Sequence, residues 1–498
     1  MYVKHQNIRD INLGGLAAEH DNYLEKYFYE SDLFRRVALG YTRILIGNRG
    51  SGKSAIFKML AKKEQTEGTL VQEILPSDYI YDLLKNSRLF ESEAEWARLG
   101  AYTASWKYVI LLTAMRLLHT RHKNQKAHSD HVNRLHSYLR DHFQEHEKTP
   151  IDLLVKFIRK FGSVTNLSLE GIQFADKTNE LDKLYKLEPL AKVIPSIQEL
   201  SRHTKILILF DELDHGWDAS KDARQFIAGL FRAAIQINNQ FPNIHVLVTI
   251  REEIYQNIPE LYDDAQKIRD IIEYIRWTPD ELKFMIAQRI KHSLERSLGK
   301  VVMATRADTI WEIIFQKAIQ QAEIPTFKYI VDRTLYRPRE LIFFINECFK
   351  SHNIEKRIGQ ETIEKVERSY SMNRLEDIAS EYRFRYSGLR EIFETFRLGT
   401  ARWDREALED RWLEIIEGEK CCPNAAEWLN ETSTPQKLID VLWGVGFLRA
   451  FMKLDRKPTK NDESMFVGYH QEPTLNIAMI NHFDIHPMFC SHLGIIKK

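Results

Sequence analysis

Residues 47–54 read Gly-Asn-Arg-Gly-Ser-Gly-Lys-Ser and fit G-x-x-x-x-G-K-[ST] at every fixed position, a pattern that demands a strand to deliver it and a helix to leave it. Both are present. Residues 42–46 (TRILI) form a short apolar run and residues 55–62 have helical character, so strand, loop and helix stand in the required order. Glycines let the backbone bend until successive N–H groups face a β-phosphate, and the helix N-terminus adds partial positive charge. Lys53 is expected to reach the β- and γ-oxygens and to be catalytic, and the Ser54 hydroxyl to ligate Mg2+. Gly47, Asn48, Arg49, Gly50, Ser51, Gly52, Lys53 and Ser54 are thus candidate nucleotide-binding residues, with ATP and Mg2+ as the implied cofactors.

A second element completes this chemistry. Residues 206–210 (ILILF) run into Asp211 and Glu212, placing two carboxylates at the C-terminal end of a buried strand, where open α/β sheets hold their ligands. Asp211 is expected to hold the magnesium shell, and Glu212 to polarise the water attacking the γ-phosphoryl group. Asp214 and Asp218 follow closely; each is read either as orienting that water or as capping the helix that begins near Ser220.

Three arginines extend the list. Residues 244–250 (IHVLVTI) form the next strand, and Arg251 after it would lie beside the γ-phosphate if this strand neighbours the Asp211 strand. It is the candidate sensor; the alternative is an arginine that places its charge in water. Arg337-Pro338-Arg339 opens a helix over 340–350, and lid arginines there would bind the nucleotide (Arg337) and neutralise charge developing on the transferred group (Arg339), the alternative being a plain basic helix start.

The fold class expected is α/β: a P-loop NTPase core with a parallel sheet and a long helical insertion, then a helical lid and a C-terminal winged-helix-like domain. The boundaries read are 1–40 for an N-terminal helical segment with a helix from 16 to 29, 41–278 for the core, 279–357 for the lid and 358–498 for the last domain. The insertion occupies about 77–200, with a strand at 68–76 before it and helices at 93–119, 130–147, 151–161 and 181–200 around a hairpin at 164–174. A helix over 222–239 presents Phe226, Leu230, Phe231, Ala234 and Ile237 on one face. Helices over 282–294 and 310–322 are followed by a basic turn at 333–339, and helix then strand then strand near 441–470 suggests the wing.

Composition narrows the partners. Lys plus Arg (71) nearly cancels Asp plus Glu (70), so any nucleic-acid surface must be local. Lys453, Arg456, Lys457 and Lys460 cluster where a wing would project, either as phosphate contacts or as a soluble basic loop. No apolar run approaches the ~20 residues that span a bilayer, and the charged N-terminus lacks a secretory core, so no membrane association and a cytoplasmic location are expected. Four cysteines, two of them adjacent at 421 and 422, fit a reducing compartment rather than a disulfide scaffold or a zinc site. Seven of the 18 histidines fall within 119–146 without a partner cysteine or an HExxH motif, and read as part of a solvated helix pair.

The order of phosphate loop, insertion, DELD carboxylates, strand ending in Arg251, RPR helix and late helix–strand–strand resembles bacterial AAA+/STAND-type P-loop ATPases with an origin-recognition-like layout. The segments LAAEHDNYLEKYF and FDIHPMFCSHLGI share in that resemblance. It implies an ATP-hydrolysing switch or motor acting on DNA or on a partner effector protein, commonly a homo-oligomer, and often encoded in anti-phage loci. Arg269 and Arg276 are the candidate trans-acting fingers. An ATP-binding assembly scaffold with little turnover and a P-loop small-molecule kinase are the competing readings; the RPR lid and terminal wing are poorly explained by a kinase.

Overall fold

A computed structural model describes residues 8, 10–75, 95–125, 129–142, 187–261, 269–299, 301–319, 323–352, 357–418, 420, 422–430, 434–453, 456–459 and 464–495. The helix expected at 151–161, the hairpin at 164–174 and Lys460 lie outside them. The chain divides into two compact units: residues 30–48 with 53–275, and residues 1–29 with 49–52 and 276–498.

The expected helix over 16–29 is instead a 3-10 turn, Ala18–His20, and one short turn of α-helix, α1 (Leu24–Tyr27). Asp21 interrupts it. Its carboxylate is buried, accepts from the Tyr27 hydroxyl and the Tyr23 N–H, and lies 3.0 Å from Arg289 Nη1, which also donates to Leu13 O at 2.5 Å. A buried carboxylate keeps its charge only with such partners, and that anchorage outweighs the local helical preference.

In the first unit α2 (Asp32–Ala38) leads to β1 (Ile44–Ile46), the phosphate loop and α3 (Lys53–Thr66). The remaining strands are β2 (Leu70–Ile74), β3 (Ile206–Phe210), β4 (Ile244–Ile250) and β5 (Ile272–Tyr274). They make one parallel sheet in the order β2-β3-β4-β1-β5. β1 and β3 are buried throughout and β4 nearly so, as apolar strands covered on both faces must be. Parallel pairing with Ile46 opposite Ile250 and Phe210 opposite Val248 brings the C-terminal ends of β1, β3 and β4 to one rim.

Two long helices build this unit's core, α4 (Glu95–His122) and α7 (Lys221–Gln240). Trp106 of α4 is fully buried, sets its ring edge-on to Phe210 at 5.4 Å and donates Nε1–H to Phe226 O at 3.0 Å. Large aromatic burial thus comes with its polar atom satisfied. Gly229 makes the close approach of these helices achievable, since a Cβ there would stand 2.7 Å from Tyr102 Cβ. The insertion therefore contributes a core layer through α4. α5 (Ser129–His142) and α6 (Leu187–Ser201) complete its described part, with His122 bonded to Thr204 and Gln125 and His119 stacked on His136. The cap of α7 is Ser220, whose Oγ accepts from Ala223 N–H at 3.2 Å; Asp218 instead accepts from the Ser220 N–H. The short α8 (Glu252–Tyr255) follows β4.

The second unit contains α9 (Pro279–Leu298), started by a Thr278/Glu281 capping box and ended by Gly299 at φ 61°. α10 (Ala307–Ile314) stops well short of the expected 322. Phe315 leaves the helix to stack on Trp311 at 3.9 Å and to bridge Ile358, and the chain turns into the small pair β6 (Ala318–Ile319) and β7 (Ile324–Pro325). α11 (Thr326–Val331), α12 (Pro338–Ser351) and α13 (Gln360–Glu381) follow. Farther on, α14 (Leu389–Glu394), α15 (Arg405–Ile416), α16 (Ala426–Asn430), α17 (Pro435–Gly444) and α18 (Pro487–Leu493) surround an antiparallel sheet. Its order is β10 (Phe466–Gly468), β9 (Leu448–Phe451), β11 (His482–Ile485), β8 (Arg402–Asp404). Two strands were expected here and four are found; β8 and β11 join by pairing with each other and, through β11, with β9.

Candidate functional site

The rim of the parallel sheet gathers the first set of side chains. Gly47 donates its N–H to Ile250 O at 3.1 Å, so the phosphate loop leaves β1 directly beside the end of β4. Asp211, buried at the end of β3, accepts from Ser54 Oγ at 3.0 Å and from Thr249 Oγ1. Two hydroxyls from two other elements thus hold one carboxylate, although Ser54 and Asp211 are 157 positions apart in sequence. Glu212 adopts φ 59°, a left-handed conformation costly for a residue with a Cβ. Its side chain is about one-third exposed and lies 3.8 Å from His215 Nδ1. Strain of this kind persists where surrounding structure enforces it, commonly at functional positions.

Lys53 Nζ donates to Gly47 O at 2.8 Å and to Asn48 O at 3.1 Å. Burial holds its pKa below the ordinary lysine value, and the carboxylates of Glu253, Asp211 and Asp214 oppose that shift. β4 does neighbour β3, and Arg251 after it is ion-paired with Asp214 and lies 3.7 Å from Glu253 Oε1. Asp214 does not cap α7, whose cap is Ser220; it faces Arg251. Sequence reasoning passed over Glu253, a buried carboxylate within the field of Lys53, and the bond Thr249 makes. The EE pair after Arg251 and the hydroxyl before it were the available signals.

Residues 49–52, the crown of the phosphate loop, group with the second unit. Gly50 and Gly52 have φ 78° and 102°, the left-handed steps that let a loop curl its N–H groups together. Arg339 N–H donates to Gly50 O at 3.3 Å and Trp277 Nε1–H to Ser51 O at 2.8 Å; Arg337 Nη1 stands 3.5 Å from Arg49 O. A Cβ on Gly50 would lie 2.9 Å from Arg339 Cβ. The Arg337 side chain is buried, bonded to Glu381 at 2.8 Å with Glu340 at 3.7 Å, and these carboxylates hold its pKa above the usual arginine value against burial. Arg339 Nε donates to Leu16 O at 3.2 Å. Trp277 gave no signal in the sequence, because what it binds is backbone. Arg276 follows β5, Arg269 lies in the 3-10 turn Arg269–Ile271, and Arg456 sits over the Phe451 ring at 5.8 Å.

The donor set fits a nucleoside triphosphate and a hard divalent cation. Ser54 and Asp211 offer the oxygen ligands Mg2+ prefers, and Ser51 Oγ is buried without a hydrogen-bond partner in the loop that would receive the phosphates. Among the described residues, no three His, Cys, Asp or Glu side chains gather as a metal cage, and no helix is long and apolar enough to cross a membrane.

Residues 17–233 match the ORC-CDC6-like family model. The match takes in β1, the phosphate loop, Asp211 and Glu212, and it supports an ATPase layout of the AAA+/P-loop kind. Residues 280–379 match the model of the FunZ-associated C-terminal helical domain, which runs from α9 through most of α13. A similar protein is the 80.3 kDa protein ascribed to transposon gamma-delta in Escherichia coli (strain K12), 26% identical over 391 residues, 77% of this chain and 53% of that protein. The chain thus spans about half the length of that relative. Allergen Alt a 2 of Alternaria alternata is 28% identical over 137 residues, 27% of this chain and 68% of its own.

Proposed function

We propose that this chain is a Mg2+-dependent ATPase that works as a switch or motor. The observation carrying the proposal is the Ser54–Asp211 bond at 3.0 Å, which joins the phosphate loop to the acidic strand end. Lys53 and the N–H groups of residues 47–54 bind the β- and γ-phosphates, and Ser54 and Asp211 hold the cation. A cation held by Ser54 and Asp211 would supply positive charge to offset that of the phosphates. Glu212 accepts the proton of the attacking water as its oxygen bonds to the γ-phosphorus and the bond to the β-phosphate oxygen breaks. Arg251, poised by Asp214, senses the γ-phosphate, and Arg339 offsets charge on the transferred group. Arg337 contributes to nucleotide binding through its bond at Arg49 O rather than as a free cation, since two carboxylates already hold it.

The finer assignments rest on the family resemblance and on the transposon named for the E. coli relative. We propose action on DNA or a partner effector, a homo-oligomeric and cytoplasmic protein of STAND type, a winged helix within 358–498 after a lid at 279–357, and a role in anti-phage defence. The test is ATP hydrolysis by the purified chain, wild type against Lys53→Ala and Glu212→Gln, with and without duplex and single-stranded DNA. Turnover abolished by both substitutions and stimulated by DNA is expected. Binding of ATP without turnover under every condition would give the assembly scaffold instead.

A further inference from the structure

We infer that Trp277 is a positioning residue for the phosphate-binding N–H groups, acting through the backbone of the loop crown; this rests on the nucleotide-binding reading above. In a trans peptide the C=O and the following N–H point in opposite directions, and no peptide bond described here is cis. Fixing the carbonyls of Arg49, Gly50 and Ser51 therefore fixes the N–H groups of Gly50, Ser51 and Gly52 on the opposite side of the loop. Each of those carbonyls faces a donor from residues 277–339: Arg337 Nη1, Arg339 N–H and Trp277 Nε1–H.

Of the three, the Trp277 bond is the shortest, at 2.8 Å. Its ring also packs on the loop, with Cζ2 3.8 Å from where a Gly52 Cβ would stand, and it is braced by Tyr29 at 6.3 Å between ring centroids. The indole thus sets both the carbonyl direction at Ser51 and the surface against which Gly52 turns at φ 102°. Held in this way, the three N–H groups are fixed in direction before an anion arrives, and the ordering cost of curling the loop is met on folding rather than on binding. The ligand class is a polyphosphate, because such a nest recognises bridging and terminal phosphate oxygens rather than a base or sugar.

The experiment compares dissociation constants for ADP and AMP, with Mg2+, on the full chain and on Trp277→Phe, which keeps a ring against Gly52 and removes the N–H. AMP lacks the β-phosphate that the nest serves. ADP affinity is expected to fall roughly twofold to tenfold, the range of one hydrogen bond's net worth, while AMP affinity holds, so the ADP-to-AMP preference shrinks by that factor. Equal losses for both ligands, or an unchanged preference, overturn the proposal. A second pair guards against misfolding: Arg339→Pro removes the N–H that Gly50 O accepts, in a first helical turn that tolerates proline, and should lower the preference below that of Arg339→Ala. If wild type binds neither ADP nor AMP, the nucleotide reading fails, and the inference fails with it; if it prefers ADP and Trp277→Phe leaves that preference unchanged, the inference alone fails, whatever Arg339→Pro does.

Discussion

Asp211 has two hydroxyl donors, and they do different work. Ser54 can exchange its bond for a cation, because a hydroxyl at the start of a phosphate-loop helix has a lone pair to offer. Thr249 in β4 serves to hold the carboxylate where it is, as its Oγ1 is buried and spends its hydrogen on Asp211. Thr249→Val keeps the shape and removes the donor. A hydrogen bond to a charged group contributes about 1.5–3 kcal/mol, so the Mg2+ concentration for half-maximal ATP hydrolysis should rise roughly tenfold or more while the fold survives. An unchanged Mg2+ titration would show that Asp211 does not depend on Thr249. Lys53, Ser54 and the Asp211–Glu212 pair were legible in the sequence as neighbours at one sheet rim, because the motif spacing and the apolar strand before the carboxylates fix their positions. Thr249, Glu253 and Trp277 were not, because their role is to hold another group, and many residue types can do that.

Elements were legible in proportion to their own periodicity. α7 appears within a residue of where its apolar face placed it, and β4 spans the run IHVLVTI without change. Where a tertiary contact decides, local pattern fails: Asp21 breaks the N-terminal helix to reach Arg289, and Phe315 ends α10 to stack on Trp311. β4 also carries a titratable group on which the sequence is silent. His245 lies beside Arg43, and its pKa is lowered to about 4 by burial first and then by repulsion from Arg43 and Lys205. The fold therefore requires its neutral form. With an unfolded value near 6.5, the unfolded chain binds the extra proton between about pH 6.5 and 4, so stability is complete above that window and declines as pH falls through it. The loss is on the order of 3 kcal/mol at the bottom of the window. Urea unfolding at pH 5 and pH 7.5 checks this: wild type should be weaker at pH 5, and His245→Gln should show a smaller difference. His470, lowered to about 3 mainly by burial, has the same sign in the other unit and keeps the slope from vanishing.

On the scale of the whole molecule, residues 49–52 group with the unit that contains α9 to α13, whereas residues 47–48 and 53–54 group with the parallel sheet. An eight-residue motif is a local feature of sequence, yet the carbonyls of its middle residues accept hydrogen bonds from residues distant in the sequence. This arrangement was not legible from the motif, which specifies backbone shape but says nothing about which distant segment braces it. The braces come from Trp277, Arg337 and Arg339, and the match to the FunZ-associated helical domain takes in the last two. A ligand that binds only the folded loop must stabilise the fold by mass action. At a hundred times its dissociation constant the gain is about 2.7 kcal/mol. For a unit of the size of the sheet unit, each kcal/mol raises the melting temperature by roughly 2–4 °C, so saturating Mg-ADP should shift the transition upward by about 5–11 °C. Lys53→Ala should abolish most of this shift, because it removes the cation that meets the phosphates, and AMP should reproduce only part of it. A full shift with AMP, or with Lys53→Ala, would place the binding energy on the nucleoside and take the phosphate loop out of the account.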